Sequence, residues 1–174
     1  MKLRNVSLGL ILLTGALGAG CEPRSHENDG ASAAAHDLAG AWRAKVQFKT
    51  GALAGVNDLE FMYVFNTGGT MTESSNYDGA PPVPPAYGIW KKVGPNQYQA
   101  KYQFFSTRPP AGVDTLTRGG GWTPSGSGNL VETITLSDDG KSYTSSIKYD
   151  AFDQAGKPAE GGGVGSVWAA RLAF

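Results

Sequence analysis

The feature that most constrains this chain is alternation with a period of two. Trp42, Ala44, Val46 and Phe48 take turns with Arg43, Lys45, Gln47 and Lys49, and a run in which every second residue is apolar describes a strand with one face on a core and the other in water. The pattern recurs in Tyr98, Ala100, Tyr102 and Phe104 against Gln97, Gln99, Lys101 and Gln103. It returns in Tyr143, Ser145, Ile147, Tyr149 and Ala151 against Thr144, Ser146, Lys148 and Asp150. The 25 glycines and 10 prolines gather mainly between such runs, which is the punctuation of an all-β domain.

Strands are expected at 42–49, 58–66, 70–75, 87–92, 97–106, 129–137, 142–152 and 164–173. The second is apolar on both faces, with Leu59, Phe61, Tyr63 and Phe65 on one and Met62 and Val64 beside Glu60 on the other, so its inward face stays open. Asn66-Thr67-Gly68-Gly69-Thr70 supplies two glycines for positive-φ positions and marks a hairpin. The four prolines of 78–85 remove amide donors and hold the backbone extended. That segment reads either as a rigid crossing over a barrel mouth or as a ligand for a polyproline-binding partner. Residues 107–128 read as the longest connection, with Trp122 either stapling it down or taking part in binding. Neighbouring strands joined by short turns pair antiparallel, and a meander escapes exposed edges most simply by closing on itself. The expectation is an eight-stranded antiparallel up-and-down barrel over residues 38–174.

Ahead of the barrel, Lys2 and Arg4 precede the apolar run 6–17, which is too short to span a bilayer and suits a signal peptide over residues 1–20. Gly18-Ala19-Gly20 then leads into Cys21, the only cysteine in the chain. This resembles the lipobox of bacterial lipoproteins, which implies a diacylated Cys21 as the mature N-terminus; the alternative is ordinary signal-peptidase cleavage with a free thiol. Residues 21–37 carry little that can be buried and read as a flexible tether. Export and lipid anchoring at the cell envelope, on the periplasmic side or the cell surface, is the expectation.

Both histidines, His26 and His36, fall in the tether. The barrel therefore has no imidazole to activate a serine and neither imidazole nor thiolate for a zinc site. Positive and negative charges balance, 15 Lys and Arg against 15 Asp and Glu, and they are scattered. Without a basic stripe, nucleic acid is not an expected partner. No cofactor and no metal is expected either.

Gly40-Ala41-Trp42 at the start of the first strand matches the G-x-W of the lipocalin-like (calycin) barrels, and Arg171 in the last strand is placed to pack over Trp42 as a basic residue does in that family. With the strand count and the hairpin at 66–70, residues 38–174 resemble that family. The resemblance implies structural roles for Gly40, Trp42 and Arg171 and a barrel able to hold a ligand. A barrel of this size either fills with side chains or holds one small molecule. The rings expected inside are Phe48, Tyr63, Trp90, Tyr98, Tyr102, Phe104, Tyr149 and Trp168, and rings with a polar tip serve both a core and a site for amphipathic molecules.

The leading expectation is a small hydrophobic or aromatic ligand held by Tyr63, Trp90, Tyr102, Phe104 and Tyr149, with the cavity near Tyr63, Trp90 and Tyr102. Glu132 shares a face with Leu130, Ile134 and Leu136. If that face is inward, a carboxylate sits among apolar groups with a raised pKa or a partner; if Val131, Thr133 and Thr135 face inward, it is solvated. A buried Glu132 or Glu73 would serve the enzymatic alternative, a cofactor-free cyclase or isomerase of the allene-oxide-cyclase-like barrel type. A third alternative is a solid barrel acting as an envelope interaction module through the proline and Trp122 loops.

Overall fold

A computed structural model describes residues 37–77, 85–112 and 121–174. The leader, Cys21, both histidines and the prolines at 81, 82 and 84 lie outside the described residues. Eight strands follow one another: β1 (Gly40–Phe48), β2 (Glu60–Phe65), β3 (Thr70–Ser75), β4 (Ala86–Gly94), β5 (Gln97–Arg108), β6 (Thr123–Leu136), β7 (Ser142–Asp153) and β8 (Pro158–Arg171). Each pairs antiparallel with its neighbour in sequence, and β8 pairs with β1 to close an up-and-down barrel. Closure leaves no strand with an unpaired edge.

The alternation sets the faces. Trp42, Ala44, Val46 and Phe48 point inward from β1, Tyr98, Ala100 and Tyr102 from β5, and Tyr143, Ser145 and Ile147 from β7. In β2 the register decides what the pattern leaves open. Trp42 stands opposite Tyr63 and Ala44 opposite Phe61, so the aromatic row is buried while Met62 and Val64 remain exposed.

The two ends of the barrel differ. At one end the strands are joined by the turns at 66–69, 95–96 and 137–141; at the other by the segments 49–59, 76–85, 109–122 and 154–157. Asn96 takes a positive φ of 53° in its turn, and of the hairpin glycines it is Gly69, not Gly68, that does so. The short-turn end is sealed by aromatic packing. Trp42 lies edge-on to Tyr143 with ring centroids 5.0 Å apart, and Phe65 lies edge-on to Trp90 at 6.0 Å. The Arg171 guanidinium covers the Trp42 ring at 4.2 Å. It donates to the carbonyls of Ala39 at 2.6 Å and Gly140 at 2.8 Å and also to that of Asp37. Trp42 in turn donates its indole N–H to the Leu38 carbonyl at 2.9 Å. Gly40 takes a φ of 137°, and a Cβ there would sit 2.5 Å from the guanidinium, so both backbone and space call for glycine.

Three expectations are corrected. β6 begins at Thr123 rather than 129, and β8 at Pro158 rather than 164. The glycines that read as loop are strand residues. A Cβ on Gly128 would meet the Phe104 ring at 2.3 Å, and one on Gly165 the Gln47 carbonyl at 2.5 Å; only glycine permits such approach. Trp168 points outward and is 52% exposed, because its register partners Lys45 and Thr144 lie on the outer faces of β1 and β7. Trp122, directly before β6, is half-buried.

Candidate functional site

Two carboxylates lie inside the barrel. Glu132 projects from β6 between Leu130 and Ile134 and is wholly buried, which places the face carrying Leu130, Ile134 and Leu136 inward. Three hydroxyls from three strands converge on it. Tyr63 of β2 donates to Oε1 at 2.7 Å, Tyr102 of β5 donates to the same oxygen at 2.5 Å, and Ser145 of β7 donates to Oε2 at 2.6 Å. The tyrosine oxygens are themselves 3.2 Å apart. Burial pushes the Glu132 pKa up, and the bonds from Ser145, Tyr102 and Tyr63 pull against that rise. Burial, followed by the charge of Glu132, holds both tyrosine hydroxyls well above their ordinary range, so they remain donors.

Glu73 projects from β3 opposite Tyr63 of β2 and Ala86 of β4. It is only 6% exposed, yet its Oε1 has no hydrogen-bond partner among the described residues. Burial, and then the neighbouring Glu132, raise its pKa from 4.5 to about 8. A carboxyl group with such a pKa carries its proton at neutral pH.

Glu73 also faces a cavity. At the long-loop end an opening of about 500 Å³ is walled by Leu53, Leu59, Phe61, Phe104, Leu130 and Tyr149, with Glu73 on its side and Arg108 and Glu160 at its rim. Phe104 and Tyr149 stack at 5.8 Å across Gly128. The segment 49–59 folds back over part of the opening, held where the Ala52 N–H donates to the Gly161 carbonyl at 3.1 Å.

The cavity therefore lies beside Phe104 and Tyr149, not beside Tyr63, Trp90 and Tyr102 as expected. Tyr63 and Tyr102 spend their hydroxyls on Glu132 in the packed interior. Trp90 sits toward the closed end, donating its indole N–H to the Asn66 carbonyl at 2.9 Å. Sequence reasoning did not single out Ser145, although a hydroxyl on the inward parity of β7 was the available signal. Nor did it find Leu53 or Arg108, which reach the cavity from connections or strand ends that carry no alternation. Among the described residues no three side chains of the metal-ligating types come together. No protein-family model matches the sequence, and no curated protein matches it either.

Proposed function

We propose that the barrel is a container: a lipocalin-like domain, exported and tethered to the cell envelope through a lipid on Cys21, that holds one small, largely apolar molecule. The observation that carries this reading is the cavity of about 500 Å³ at the long-loop end. Its size falls within the few hundred to ~1,000 Å³ usual for small-molecule sites, and its aromatic and aliphatic walls, with Glu73 among them and serine, threonine, Arg108 and Glu160 also in the lining, suit a largely apolar molecule with a polar end. Arg171 over Trp42 supports the lipocalin-like reading. The anchor rests on the sequence around Cys21 alone.

Native mass spectrometry of the protein purified from its own cells, before and after organic extraction, tests the container. A reproducible added mass that extraction removes is expected. Gly128→Val, whose side chain would displace the Phe104 and Tyr149 rings that wall the cavity, should lose that mass, with circular dichroism checking that the variant still folds. A clean mass from both proteins, or an adduct that Gly128→Val retains, counts against it.

A second reading has one observation in its favour. Glu73 is a protonated acid at neutral pH facing the cavity, as a cofactor-free cyclase or isomerase requires of its proton donor. Glu132 suits that role less, because hydroxyls occupy both its oxygens. Conversion of the extracted molecule by the protein, abolished in Glu73→Gln, would replace the container reading with the enzymatic one.

A further inference from the structure

Glu73 differs from Glu132 in what its neighbours provide. Three hydroxyls satisfy Glu132, whereas Glu73 lines the cavity with no hydrogen bond or ion pair to its carboxyl group among the described residues, and its Oε1 is shut in without a partner. The titratable groups facing it from the packed strands are Tyr63, Glu132, Tyr102 and Tyr143, none of them cationic. Arg108 lies at the rim with Glu160, and neither it nor any other described cation forms an ion pair with Glu73. The interior thus holds two carboxyl groups and no described positive charge to balance them.

A buried carboxylate missing a donor and a cation is complementary to a ligand that brings both, and aromatic faces attract the same kind of head group. We propose that the cavity is selective for a small amine, whose ammonium pairs with the Glu73 carboxylate where it lines the cavity while its apolar body lies against Phe61, Phe104 and Tyr149. This deepens the container reading and rests on it. A carboxylate ligand finds no described cation inside the barrel to balance its charge and can approach Glu73 only while that group keeps its proton, so carboxylic acids bind weakest. The proton balance follows from the site. In the empty barrel Glu73 holds a proton at neutral pH; the entering ammonium pairs with the carboxylate, and that proton leaves to solvent. Amine affinity therefore rises about tenfold per pH unit below the Glu73 pKa, since each unit increases the ionised fraction tenfold while the amine, with a pKa of ~10, keeps its charge. A neutral ligand of the same shape gains nothing from that rise.

The test is calorimetric titration of the full chain and of Glu73→Gln with phenethylamine, phenethyl alcohol and phenylacetate from about pH 6 to pH 8, in buffers of different ionisation enthalpy. The expected result is amine binding at least about tenfold tighter than alcohol at the upper pH, phenylacetate weakest, and release of about one proton per amine near neutrality. Glu73→Gln should lose the preference for amine while still binding the alcohol. If the alcohol binds the native protein as tightly as the amine, or Glu73→Gln keeps the preference, the container stands and the amine selectivity falls. If none of the three binds saturably, both fall. Should Glu73→Gln fail to fold, proton release and pH dependence in the native protein decide alone; amine affinity that is flat with pH overturns the proposal.

Discussion

Replacing Glu73 by glutamine removes a titration while leaving the side chain nearly the same shape, so stability against pH isolates the effect of burying this group. In the unfolded chain the carboxyl titrates near its ordinary 4.5, and in the barrel near 8. Between those values the folded state holds a proton that the unfolded chain has lost. Stability must then fall as pH rises, and it levels off once both states are ionised. At ~1.4 kcal/mol per pH unit the full span corresponds to ~5 kcal/mol, an upper limit because water in the cavity relaxes part of the penalty. Urea unfolding at about pH 5, 6, 7 and 8 measures it. The native protein should lose ~2–4 kcal/mol relative to Glu73→Gln over that range, most of it before pH 8. A gap between the two proteins that is constant with pH would refute the reasoning. So would a native protein that gains stability on Glu73→Gln as the pH rises, since that is the behaviour of a carboxylate paired with a cation.

Two further variants probe the interior. Glu132→Leu strands the Ser145 hydroxyl and one of the two tyrosine hydroxyls, since Tyr63 and Tyr102 can then bond only each other, so a loss of ~2–4 kcal/mol is expected in urea unfolding. Glu132→Gln keeps an acceptor for the tyrosines and offers Ser145 a donor, and should stay within ~1–2 kcal/mol of native; equal stability of the two variants would deny the network. Arg171→Met removes the cover over Trp42 and donors to three backbone carbonyls, with an expected cost of ~2–3 kcal/mol and a changed tryptophan emission. Arg171→Lys should recover less than half of that, because one ammonium cannot span the three carbonyls while stacking on a ring. Full recovery by lysine would show that charge alone matters there.

How much of this was legible in the sequence depended on whether side chains carried the information. β1, β5 and β7 could be read directly because each alternates ring or aliphatic against polar, and β3 because a glycine hairpin fixes its start. The first parts of β6 and β8 could not be read. There the barrel wall is built from Gly126, Gly128, Gly162, Gly163 and Gly165, positions where a neighbouring ring or carbonyl occupies the place of a side chain, and a residue without a side chain has no parity to display. Trp168 misled for the opposite reason, since its bulk argued for burial while its register put it outside. Glu132 was recognisable as a candidate from the apolar residues that share its face, though the pattern left open whether that face is inward, and Glu73 only as a second carboxylate within the strands. Only the three-dimensional arrangement distinguishes the satisfied carboxylate from the unsatisfied one, because the hydroxyls that make the difference come from strands far apart in the sequence.

The sealed end has a practical consequence. β1 starts and β8 finishes there as neighbours, Trp42 opposite Arg171, so the domain's entry and exit share one pole and the opening occupies the other. A bead, dye or fusion partner joined ahead of residue 37 or behind residue 174 sits on the far side from the cavity. Immobilised through either junction, the barrel presents its mouth to the bulk phase, which gives oriented capture without engineering of the loops.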